Sequence, residues 1–174
     1  MTIRTFQNHT PEIADSAYID PTALVIGRVK IGADSSVWPM TVIRGDINTV
    51  TIGKRTNIQD SSILHVTHDG PYSPGGASLL IGNDVTVGHG VTLHACTLED
   101  NCLIGIGSIV LDGAVVGKNA MLGAGSLVPG GKVLEGGYLW MGRPAKKVRE
   151  LTNEEIEYLS YSSEHYVKVK QMHE

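Results

Sequence analysis

Residues 81–98 read IGNDVTVGHGVTLHACTL, and an aliphatic residue opens each group of six: Ile81, Val87 and Leu93. After a shift of one residue the pattern resumes at Leu98 and runs on through Ile104, Val110, Val116, Leu122 and Val128. Upstream, Ile19, Val25, Ile31, Val37 and Ile43 keep the same step, and a slip near Asn48 to Thr51 leads into Ile52, Ile58 and Leu64. A period of six fits neither an amphipathic helix nor an alternating strand. It fits a short strand followed by a corner, with the aliphatic side chain turned inward each time. Small residues at the fifth position fill the remaining interior, and Gly at the second is expected to relieve the backbone where it bends. Such a unit cannot bury its apolar side alone, so successive coils must stack and share one core.

Composition agrees. The 174 residues fit one domain spanning 1–174, with 21 Gly, 5% aromatics and a single Phe, which suits tightly stacked strands. Fourteen basic and 18 acidic residues give a net charge of −4 with no basic run, which argues against nucleic acid or an anionic membrane as partner. No stretch approaches the roughly 20 apolar residues of a membrane span, and Met1 to Pro11 lacks the apolar centre of a secretory signal, so the cytoplasm is the expected location. Cys96 and Cys102 lie six apart, on successive sides of a coil, and are expected to be small buried thiols without a disulfide.

Two segments break the repeat. Residues 66–79, VTHDGPYSPGGASL, carry two Pro and three Gly and read as an inserted loop. Thr152 followed by Glu155 forms a capping box that starts a helix over about 153–172. The helix is expected to pack along the stack and cover its end, or to dock on a neighbour. The β-helix itself is expected over about 12–150.

Of seven histidines, His65, His89 and His94 fall inside the repeat at positions that do not face the core. Each alone reads as an ordinary surface residue. As a set they point to a metal, because neutral imidazole is the usual zinc ligand and three ligands with one open position make a catalytic site. One chain need not supply all three, since a flat β-helix side suits packing against a symmetry mate.

The stretches VIRGDINTVTIGKRTNIQDSSILHVTHDG and IGNDVTVGHGVTLHACTL resemble the γ-class carbonic anhydrase family, within the bacterial hexapeptide-repeat superfamily. The likeness covers nearly the whole chain. It implies an all-β fold, a left-handed parallel β-helix with a C-terminal α-helix, against the usual right-handed crossover. It implies a homotrimer with Zn²⁺, or Fe²⁺ or another divalent transition metal, at each interface, His65 and His94 coming from one subunit and His89 from its neighbour. The implied reaction is reversible hydration of CO₂ to bicarbonate by metal-activated water. By the same likeness Gln59 hydrogen-bonds the metal-bound hydroxide, Asn57 helps to place substrate, and Tyr161 is brought to the site by the helix. Arg44, Asp46 and Asp60 resemble the ion-pair set that holds the subunits together beside the metal. One departure stands out: Ile47 follows Asp46, and the inserted loop offers His68 and Asp69 but no glutamate to carry the proton away. His68 is either a proton shuttle or a solvent-facing loop residue.

Two rival readings remain open from the residues. The segment Tyr138 to Lys146 contains the Gly-x-Pro-Ala-Lys exit shared with hexapeptide acyltransferases, which reports fold and not chemistry. A metal with a closed ligand set would instead make a trimeric scaffold without catalysis.

Overall fold

In the computed structural model, which describes residues 2–173, the sixes become short strands stacked in three columns. On the first face Ile19, Val37, Ile58, Val87, Ile104, Leu122 and Trp140 lie over one another in parallel register. On the second, Val25, Ile43, Leu64, Leu93, Val110 and Val128 do the same. The third stacks Ile13, Ile31, Ile52, Ile81, Leu98, Val116 and Leu134. The strands Leu24–Ile31 and Val42–Ile52 run round the corner between the second and third faces, which joins those two into one sheet. Nearly all these aliphatic side chains are fully buried and form a single core. This is the hexapeptide β-helix read from the repeat.

The second-position glycines have a different cause from the one expected. Gly105 and Gly117 do not adopt left-handed backbone; a Cβ on Gly105 would lie 2.4 Å from Ala124 N, and one on Gly117 2.7 Å from Gly136 N. Close approach of the next coil excludes a side chain there. The bends are made elsewhere, at corner residues of positive φ such as Asn101 (57°) and Asn119 (59°), where Asn101 Nδ2 donates to Asn119 Oδ1 at 2.8 Å.

Cys96 and Cys102 are buried and unpaired, and burial pushes both thiols up to about 12, leaving them unreactive. The inserted loop is a twisted hairpin in which Thr67 and Ala77 exchange two backbone hydrogen bonds of 3.0 Å. The C-terminal end of the first face is closed by the antiparallel pair Tyr138–Gly142 and Ala145–Glu150. The helix α1 spans Asn153–Lys170, two residues shorter than expected, and opens with the capping box: Glu155 N donates to Thr152 Oγ1 at 3.2 Å and Thr152 N to Glu155 Oε2 at 2.9 Å. It lies along the first face and not over the end of the stack. Ser160 meets Asn101, Ser162 meets Thr86, and Tyr166 meets Trp38, so the helix runs back toward the first coils. Among the described residues no helix is long and apolar enough to cross a membrane.

Gly→Ala at ordinary φ normally stabilises by about 0.4–1 kcal/mol through the unfolded chain. Gly105→Ala is expected to do the opposite and cost about 1–3 kcal/mol, because the coils must separate to admit the methyl. Urea unfolding followed by circular dichroism decides the sign.

Candidate metal centre

His65 and His94 directly follow the inward Leu64 and Leu93, so strand alternation throws both imidazoles outward on the second face. Parallel register places them one coil apart, with ring centroids 5.2 Å apart and His65 Nδ1 3.2 Å from His94 Nε2. Each ring is held from its far side by a carboxylate. Asp46, in the coil before, meets His65 Nε2 at 3.0 Å, and Asp112, in the coil after, meets His94 Nδ1 at 2.6 Å.

These contacts assign the tautomers. A carboxylate only accepts, so His65 carries its proton on Nε2 and His94 on Nδ1. The two facing nitrogens, His65 Nδ1 and His94 Nε2, then both present lone pairs. Two neutral imidazoles so arranged repel, and a cation between them satisfies both. A tetrahedral metal with bonds of ~2.0–2.1 Å holds two ligand nitrogens roughly 3.3 Å apart. The donor set therefore fits a divalent metal.

Burial by itself would raise the Asp46 carboxyl, but hydrogen bonds from Arg44 and His65 outweigh it and hold the group below the usual carboxylate range. Asp112 is likewise lowered against its burial by Thr67 and His94. Burial lowers the His65 imidazole, helped by the nearby Arg44, although Asp46 pulls the other way. His65 is thus favoured in the neutral form that binds metal.

His89 lies apart from this pair, at the corner where the first face turns into the second. Its Nδ1 meets Asp60 Oδ2 at 2.9 Å, and half of its side chain is exposed. Among the described residues no group of three or more His, Cys, Asp or Glu is arranged to hold a metal within one chain. Arg44 pairs with Asp46, whereas Asp60 is engaged with His89.

Gln59 and Asn57 are buried on the first face, where Gln59 Nε2 donates to Asn57 Oδ1 at 3.1 Å. Gln59 lines a cavity of 420 Å³ beneath α1, together with Thr86, Gly88, Ser162, Tyr158 and Tyr166. Tyr161 does not line it; 58% exposed, it stacks on His165 with centroids 5.9 Å apart. His68 is exposed on the inserted loop.

Asp112 escaped the sequence reading. It lies 18 residues past His94, three sixes by count and one residue beyond the register that sets Leu93 over Val110, and that count was the available signal. Thr86 and Ser162 were missed because only the docked helix brings them together.

Lowered carboxylates stabilise the fold above their ordinary pKa of about 3.9, and that contribution is lost as pH falls through the lower native value. His65 acts in the same direction just below its ordinary value of about 6.5. Asp46→Asn is therefore expected to lower the urea midpoint at pH 7 and to shrink the difference between pH 7 and pH 3. An unchanged pH difference would show that Asp46 carries no such linkage.

Comparison with known proteins follows the same line. A model of the bacterial transferase hexapeptide, six repeats, matches residues 95–130. The chain is 52% identical to Protein YrdA of Escherichia coli, covering 97% of this chain and 91% of that one. It is 48% identical to the carbonic anhydrase of Geobacillus kaustophilus, covering 95% and 87%. With γ carbonic anhydrase 2, mitochondrial, of Arabidopsis thaliana it shares 42% identity over 98% of this chain and 62% of that longer one. The crystal structure of a hexapeptide transferase family protein from Anaplasma phagocytophilum superposes with a TM-score of 0.89 at 42% identity, covering 98% and 96%. With this repeat, this coil register and relatives of this identity along almost its full length, the chain belongs to the γ-carbonic-anhydrase-like family of hexapeptide-repeat proteins.

Proposed function

We propose that this chain is a metal-dependent γ-type carbonic anhydrase, a homotrimer that holds one divalent transition metal at each subunit interface and interconverts CO₂ and bicarbonate. The observation that carries the reading is the pair of facing nitrogens, His65 Nδ1 and His94 Nε2, 3.2 Å apart with both outer nitrogens tied to carboxylates. Zn²⁺ suits an all-imidazole donor set, and Fe²⁺ is the alternative. A bound metal of this kind supplies the Lewis acidity that makes water a nucleophile near neutral pH.

The third ligand in this reading is a His89 from the adjoining subunit. The second face supports such a contact. Leu24, Val42, Ile63, Ile109 and Leu127 line the outside of the stack there, interrupted only by Thr92 between Ile63 and Ile109, and Ile63 is 51% exposed. His89 marks one edge of this apolar strip, and His65 and His94 mark the other. A face with unlike edges suits head-to-tail packing, and a rotation of one third of a turn per contact closes such packing into a trimer.

The chain's own residues have distinct tasks. Asp46 and Asp112 fix the ring orientations and tautomers. Gln59 presents an acceptor that can orient a hydroxyl, and Asn57 holds Gln59 in place. His68 is the group suited to carry the proton to solvent. Turnover is expected to be modest, because Ile47 follows Asp46 and residues 66–79 contain no glutamate.

Metal analysis of anaerobically purified protein should find about one metal per chain. Stopped-flow CO₂ hydration by the same sample should fall on chelation and return on reloading. Metal without hydration would move the function to hydrolysis of another small substrate or to a metal-bridged scaffold. No metal, even after zinc or iron is offered, would overturn the reading. His89→Ala should abolish metal binding while leaving the circular dichroism of the β-helix unchanged. Asp112→Asn should weaken metal affinity by about 10–100-fold, measured by competition with a chelator.

A further inference from the structure

The cavity beneath α1 is larger than CO₂ requires. Its 420 Å³ falls within the ~300–1,000 Å³ of small-molecule sites. Leu103, Ile106 and Met121 give it an apolar wall, while Gln59, Thr86 and Ser162 gather at one end.

The polarity of that end is fixed from the backbone outward. Val85 O can only accept, so Asn57 turns Nδ2 toward it, at 3.5 Å, and toward Thr86 Oγ1, at 3.0 Å. Asn57 Oδ1 then faces Gln59 and accepts from Nε2 at 3.1 Å. Gln59 Oε1 is left without a protein partner, although the residue is only 6% exposed. Among the described residues the side-chain polar atom that is both sealed and unpaired is Arg28 Nε. Gln59 Oε1 is therefore not sealed, and it opens on the cavity that Gln59 lines. Thr86 Oγ1, accepting from Asn57, also shares a hydrogen bond with Ser162 Oγ at 3.0 Å, so the docked helix holds the far end of the network.

We infer that this cavity binds a small aliphatic molecule with an O–H or N–H headgroup, the headgroup donating to Gln59 Oε1 and the hydrocarbon packing on Leu103, Ile106 and Met121. A ligand without a donor would leave a desolvated acceptor unpaired, which is the basis of selection. As a statement about substrate, the inference rests on the proposed metal centre and on Gln59 serving it; as a statement about binding, it does not.

The test titrates 1-pentanol and its isomer butyl methyl ether into the full-length protein and follows the methyl resonances of Met121 and Ile106. The alcohol should saturate the shifts with an affinity about tenfold tighter than the ether's. Ala124→Trp, at the exposed rim of the cavity, should abolish both titrations. His94→Ala, which removes a metal ligand, should leave both unchanged, so failure of the metal reading and failure of this one are told apart. Equal affinity for the two isomers, titrations that survive Ala124→Trp, or loss of alcohol binding in His94→Ala would each overturn the inference.

Discussion

Everything in this molecule depends on vertical register: each residue sits over its equivalent in the coil below, held there by parallel strand pairing. A β-helix coil has no other freedom once its neighbours are stacked, because the ~4.8 Å strand spacing is set by backbone hydrogen bonds. The inward aliphatic columns follow from it, and so do the second-position glycines, which keep Gly105 from colliding with Ala124. The same constraint brings His65 and His94 within 3.2 Å of one another. No loop has to close and no helix has to dock for that pair to form.

A rigid pair of imidazoles acquires chemical direction from what holds it. Asp46 below and Asp112 above each occupy one ring nitrogen, so the two free lone pairs are aimed at one another. Arg44 and Thr67 in turn occupy the carboxylates, which favours their ionised forms. The result is a short column along one edge of the second face, two imidazoles between two carboxylates, complementary to a cation and built on paired strands.

The first face uses register differently. Asn57 and Thr86 are neighbours in successive coils, and the orientation of Gln59 is passed to it through them. Here the stack alone is insufficient, because Ser162 arrives from α1, 76 residues away from Thr86 in the chain. The site thus combines a part fixed by the repeat with a part that exists only when the helix is docked.

The sequence by itself determined the coil, the core and the outward placement of the three histidines. A six-residue period leaves two inward positions per side, the aliphatic opener and the small fifth residue, so His65 and His94, next after an opener, and His89, third in its six, fall outside the core. It also disclosed the inserted loop and the capping box, since Pro, Gly and the Thr152–Glu155 pair act locally. Only the tertiary structure decided that Asp112 serves His94 while Asp60 serves His89, that glycines yield to the next coil instead of to a bend, and that Tyr161 stays outside the cavity Tyr158 and Tyr166 line. Those choices depend on how far the chain travels per coil, which slips and the insertion alter, and on how a helix settles against the finished stack. Neither quantity is written in any single six.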